Sequence, residues 1–181
     1  MSTIKVDTIT DTSGNSIPYM KGAVLQVKYF QLTTPQEETY SSINTDQVVT
    51  NFNVTITPKS SSSIIKLEAN LMYESANTAW NTMWFFFRND TKLGATGSTG
   101  GRTAGISSGI ESYPNDDNST PEQAFVTYFD TPNTTSAITY KLGVISAEGT
   151  SSYFINRTVG DGEGAGNERG VSFISATEIG G

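Results

Sequence analysis

Apolar and polar positions alternate with a period of two along most of the chain, and this pattern predicts strands. The clearest run sets Ile65, Leu67, Ala69 and Leu71 on one side and Lys66, Glu68 and Asn70 on the other, a strand with one face in a core and one in water. Phe52, Val54 and Ile56 alternate with Asn51, Asn53 and Thr55 until Pro58, which brings no N–H to a ladder, ends the run. Ala23 to Leu32 places Leu25, Val27 and Tyr29 opposite Gln26 and Lys28. Trp80 to Arg88 is different. Trp84 and Phe86 alternate with Met83, Phe85 and Phe87, so both faces are apolar and both need cover, as in a central strand or one that touches a second subunit. Phe125 to Asp130, Ala137 to Ile145, Tyr153 to Thr158 and Val171 to Ile179 complete a set of about eight strands at the spacing of a sandwich.

The breaks in the pattern divide the chain. Ser2 to Ile9 alternates Ile4 and Val6 with Lys5 and Asp7, stops at Thr12-Ser13-Gly14-Asn15, and is followed by a hinge from Pro18 to Gly22. The expectation is an extended arm over residues 1–21 and one all-β domain over 22–181, an antiparallel jelly-roll sandwich. No stretch sustains a helical period with caps, and a short turn near Asp116 to Gln123 is the most helix the pattern allows. Two connections are long, Gly94 to Gln123 and Val159 to Gly170, the second reading VGDGEGAGNERG. Loops of that length are functional or mobile in most compact domains, which makes these two the candidate contact loops.

Composition narrows the function. The 181 residues suit one domain, and the 47 Ser and Thr fit strands and turns better than helices. With a net charge of −7 and only 11 scattered basic residues, no stripe can neutralise consecutive phosphates, so nucleic acid is excluded as a partner. There is no cysteine and no histidine, which removes disulfides, thiolate and imidazole metal sites, and every nucleophile–histidine arrangement. No apolar run approaches the roughly 20 residues of a membrane helix, and the N-terminus has no apolar signal core. A soluble protein made in the cytoplasm is expected, without a membrane partner.

What chemistry remains is carboxylate chemistry. Glu37-Glu38 and Asp116-Asp117 are sequence neighbours, which point to opposite faces on a strand and are solvated on a loop, so they do not form a facing catalytic pair. The chain reads as a non-enzyme without cofactors. Asp161-Gly162-Glu163-Gly164 offers oxygen ligands on a flexible loop, as calcium prefers, but its spacing is not that of an EF-hand and a solvated hairpin loop explains it as well. Asn-X-Ser/Thr triplets beginning at Asn53, Asn89, Asn118, Asn133 and Asn156 read as turn residues. Trp80, Trp84, Tyr113 and Tyr128 are candidates for stacking on sugar rings. A core or subunit-interface role suits both tryptophans better, and Tyr113, between Gly109 and Pro114, is the ring expected in solvent.

Several segments together resemble a family: the opening STIKVDTI, then TITPKSSSSIIKLEANL, FRNDTKLG, FVTYFDTPNTTSAITYKLGV with FINRT, and the final ATEIGG. They are similar to small tail-fibre-like structural proteins of phages that infect marine and other aquatic bacteria. The resemblance spans nearly the whole chain, although Thr96 to Glu122 departs from it. It implies an N-terminal attachment arm and a trimeric jelly-roll head like the globular heads of tumour-necrosis-factor-like proteins. On that footing the chain is expected to be a virion protein, a tail-fibre or head-fibre subunit assembled in the host cytoplasm, with capsid decoration (cement) protein and lectin-like carbohydrate-binding module as alternatives. Ile4, Val6 and Ile9 are then the candidate attachment residues toward other virion proteins. Trp84 and Phe86 are the candidate homotrimer interface. Tyr113, Asp116, Asp117, Asp161 and Glu163 are candidate contacts to a host-surface polysaccharide or protein.

Overall fold

The computed structural model describes Thr10 and residues 12–14, 21–76, 81–94, 100–109, 119–147 and 150–181. These hold eleven strands, and there is no helix among the described residues: β1 (Val24–Leu32), β2 (Gln36–Tyr40), β3 (Gln47–Ile56), β4 (Ile64–Ser75), β5 (Thr82–Arg88), β6 (Thr91–Lys92), β7 (Ser107–Ser108), β8 (Glu122–Asp130), β9 (Ile138–Ser146), β10 (Ser151–Ile155) and β11 (Ser172–Ile179).

Two antiparallel sheets face each other. In the first, the twelve-residue β4 is paired along one side with β8 and along the other with β11 over its first half and β10 over its last three residues. Beyond these, β1 pairs β11 and β2 pairs β10. Since β10 and β11 are both antiparallel to β4, they run the same way, and together they make one long strand interrupted by the 156–171 insertion. The pair β1 and β2 is likewise one strand broken around Pro35. The first sheet therefore has four long strands in the order β1/β2, β10/β11, β4, β8. The second has the order β3, β9, β5, with β6 and β7 sharing the far edge of β5. This arrangement is the eight-strand double Greek key of a jelly roll.

The break in the first sheet is sealed by one side chain. Asn156 is buried in the left-handed region at φ 62°, and its amide nitrogen donates to the Leu32 carbonyl at 2.8 Å and the Thr34 carbonyl at 3.3 Å. Its side-chain oxygen accepts from the Ser172 hydroxyl at 2.7 Å. One residue thus joins both interrupted strands. Its φ, like those of Asn89 and Asn133, fits the turn role expected from sequence.

Between the sheets lies an aromatic core. Trp84 of β5 meets Tyr73 edge-on at 4.9 Å and Tyr153 at 5.9 Å, and Tyr153 stacks on Tyr40 at 4.6 Å. β4 shows the alternation expected of it, with Ile65, Leu67, Ala69 and Leu71 buried and the residues between them half-buried. β1 differs from expectation. Phe30 and Leu32 face the core, whereas Val27 and Tyr29, on the strand's other apolar side, face outward with exposures of 53% and 76%.

Polar clasps hold the two sheets at one end. The Asp130 carboxylate at the end of β8 accepts from Arg88 of β5 at 3.0 Å and from the Tyr140 hydroxyl of β9 at 2.7 Å. Burial, followed by the Asp130 hydrogen bond, pushes the Tyr140 phenol far above its ordinary range. Glu178 of β11 is fully buried and accepts from Gln26 Nε2 at 2.6 Å, the Lys59 amide at 2.6 Å and the Ser63 hydroxyl at 2.7 Å. Burial opposes its charge, but these donors prevail and hold its pKa below 4.5.

Candidate interaction surface

The doubly apolar β5 is covered within one chain. Trp84 and Phe86 are both 0% exposed and belong to the core between the sheets, so their assignment to a trimer interface is corrected: neither ring reaches the surface. On the strand's other face, Phe85 is also fully buried. Its ring lies over Gly143 of β9, where an added Cβ would come within 2.5 Å of it and within 2.8 Å of Phe87. Phe87 meets it edge-on at 5.1 Å, and the Lys92 ammonium sits 4.1 Å above the ring. A glycine with no side chain of its own lets neighbouring rings close over the strand.

The outer face of the first sheet is not closed in this way over its whole length. Its upper half, near Met72 and Glu74, carries the 156–171 insertion. The Val159 amide donates to the Glu74 carboxylate, and Gly170 packs against Met72, where a Cβ would overlap the sulfur. Arg157 lies over the Phe154 ring at 4.0 Å. Asp161 accepts from Arg157 at 3.4 Å and from Arg169 in a second ion pair, and Thr158 donates to Asn167 Oδ1 at 3.2 Å. The Asp161 carboxylate thus fastens the loop to itself while staying 39% exposed. Glu163 is exposed on the same loop. Among the described residues, no group of three or more Asp or Glu side chains is placed to hold a metal ion. Ile4, Val6, Ile9, Trp80, Tyr113, Asp116 and Asp117 lie outside the described residues.

Among the described residues, no strand or loop is laid over the lower half of the outer face. Strand register arranges it in three rows: Val27, Thr177, Lys66 and Phe129; Tyr29, Ser175, Glu68 and Thr127; Gln31, Phe173, Asn70 and Phe125. Tyr29, Phe125, Phe129 and Phe173 are 76%, 54%, 57% and 40% exposed. At about 200 Å² per ring, these four alone leave roughly 450 Å² of aromatic surface in water. The rings stand among polar side chains on the same face, and exposed aromatics gathered on one face often mark a contact site. Near the middle, Lys66 pairs with Glu68 at 2.8 Å, so the charge there is balanced. Sequence reading missed this face because its aromatics come from three separate strands. The available signal was the exposed-side alternation of Phe125, Thr127 and Phe129.

Fold and surface together define a jelly-roll sandwich with four exposed aromatic rings on the outer face of one sheet. No protein-family model matches the chain, and no curated protein is similar to it at a significant level. Among solved structures, the VP2 subviral particle of infectious bursal disease virus is similar over 97% of this chain and 44% of that one, at 10% identity and a TM-score of 0.38. The chain thus spans less than half of that protein.

Proposed function

We propose that the chain is a structural subunit of a virion, of the tail-fibre or head-fibre kind, and that it works by assembly and not by catalysis. The observation that carries the assembly reading is the bare aromatic half of the first sheet's outer face, with four exposed rings around a balanced ion pair. Water contact at that much aromatic surface is costly, and burial at about 25 cal/mol per Å² favours a partner. The resemblance of the sequence segments to phage fibre proteins supplies the virion setting, with residues 1–21 as the attachment arm. A lectin-like role fits less well, since three of the four rings are phenylalanines without a polar tip for sugar hydroxyls.

Two measurements test this. Immunogold imaging of purified particles should find the protein on the virion, and its absence from particles overturns the virion reading. Mass photometry of the isolated chain should show an oligomer, and a monomer persisting at tens of micromolar overturns the assembly reading. The three-fold form implied by the resemblance and the two-fold form argued below differ in mass.

A further inference from the structure

The free edges of the two sheets are not alike. Proteins blunt exposed strand edges with bulges, prolines, charges or short strands, because an unpaired ladder recruits other strands. Along β1 and β2 the edge has a register shift between Val24 and Gln26, a break at Pro35, and Glu37 and Glu38 on the short second piece. The β3 edge has an irregular stretch between Val48 and Asn53, with Asn51 at φ 57°. At the remaining edge of the second sheet, β6 and β7 are two residues each. β8 has none of these devices. Its nine residues hold an unbroken register on β4 from Glu122 opposite Tyr73 to Asp130 opposite Ile65, and among the described residues β4 is the only strand paired with it. It contains no proline, glycine or lysine, and its two charged residues stand at its ends.

We infer that β8 is a pairing edge for a second copy of this chain, joined antiparallel about a two-fold axis through Thr127. This rests on the assembly reading above and names a second copy as the partner at the edge of that face. The segment Phe125-Val126-Thr127-Tyr128-Phe129 has the same kinds of residue in either direction from Thr127. An axis there sets Phe125 opposite Phe129 of the second copy twice on the outer face, and Val126 opposite Tyr128 twice on the inner face. Such cross-strand aromatic and aromatic–aliphatic pairs stabilise a ladder. An axis one residue earlier, at Val126, would instead set Glu122 against Asp130 of the second copy, two like charges. With the axis at Thr127, every position from Gln123 to Phe129 in the contact is uncharged, which suits association between chains that each carry −7. The two first sheets then form one continuous sheet, in which Phe125 and Phe129 of the two copies pack side by side across the seam, while Tyr29 and Phe173, on strands further in, keep their exposure.

The residue on the axis makes a specific test possible. Thr127 is exposed and faces its own counterpart, with Cα atoms about 4.5–5.5 Å apart as in any antiparallel pair. That distance suits a disulfide, and the chain has no other cysteine. Thr127→Cys under mild oxidation should give a covalent dimer on a non-reducing gel, while Thr177→Cys, on the same face two strands inward, should give none. By mass photometry the unmodified protein should weigh twice the 19.4 kDa chain. Thr127→Lys should raise the dimer Kd at least tenfold while circular dichroism shows the fold intact, since the new lysine lies opposite Glu68 in its own chain. Mixing Thr127→Lys with Thr127→Glu should restore dimers. A trimer would overturn the two-fold inference and leave the assembly reading standing. A dimer that neither cross-links through residue 127 nor responds to Thr127→Lys would also overturn it. A monomer at tens of micromolar would overturn both.

Discussion

The two sheets of this sandwich treat their outer faces in opposite ways. On the second sheet, Phe85 points away from the core yet is fully buried, because Gly143 leaves room for its ring and Phe87 and Lys92 close over it. On the first sheet, Phe125, Phe129 and Phe173 point outward and are 40–57% exposed. Both faces have phenylalanines at outward positions of regular strands. What separates them is whether a neighbouring strand in the same chain supplies a gap for the ring. An outward aromatic therefore marks an interface only after the intramolecular cover has been accounted for.

The largest effect should come from testing the two faces with the same change. Phe86→Asp places a carboxylate in the core with no partner and should cost more than about 4 kcal/mol, enough to leave the chain unfolded or insoluble. Phe129→Asp makes the same substitution on the bare face and should change stability by less than about 0.5 kcal/mol while weakening self-association. Circular dichroism and mass photometry on both variants separate the outcomes. If Phe129→Asp also unfolds the protein, the bare face is part of the fold and the contrast between the sheets fails.

A smaller effect should follow from reversing the cover on the second sheet. Gly143→Val would push a side chain into the space that the Phe85 and Phe87 rings occupy and should destabilise by about 1–3 kcal/mol, with the rings driven outward. Chemical denaturation measures the loss, and a dye sensitive to exposed apolar surface should then bind the folded variant. A variant as stable as the parent would mean that the rings do not depend on the gap at Gly143.

How much of this was readable in the sequence follows from the same physics. The alternation in β4 was legible because its buried and wet sides differ in every residue pair, and eight of the eleven strands followed from apolar runs, while the two-residue β6 and β7 left no such pattern. β2 was missed: its five residues include Glu37 and Glu38, and Tyr40 is its only fully buried side chain. The orientation of β1 was also missed, since apolar residues sit on both of its sides and the choice between Tyr29 and Phe30 depends on register with β11. Cover for Phe85 depends on Gly143, a residue distant in sequence whose importance shows only once β5 and β9 pair. The internal fastening of the insertion between β10 and β11 was not legible for a similar reason. Its glycines and acids suggested solvent, whereas Arg157 and Arg169 fix Asp161 in place.

That insertion provides the mildest test, because it covers the upper half of the same sheet whose lower half is bare. Asp161 is 39% exposed, and its pairs with Arg157 and Arg169 are partly screened by water, so each is worth about 0.2–1 kcal/mol. Asp161→Ala should lower the melting temperature by only a few degrees for a domain of this size. The loop has other anchors, since the Val159 amide still reaches Glu74 and Arg157 still lies over Phe154. Cleavage between Gly160 and Arg169 by a nonspecific protease should nevertheless accelerate, because the segment between its anchors loses its internal fastening. Hydrogen exchange at Met72 reports on the cover itself: its amide donates to Ser172 Oγ at 3.0 Å beside the loop's base. Faster cleavage with unchanged exchange at Met72 would show a loop that loosens while its base still covers the sheet. If exchange at Met72 also rises, the ion pairs of Asp161 help hold the cover in place, and the anchors at Glu74 and Phe154 do not suffice without them.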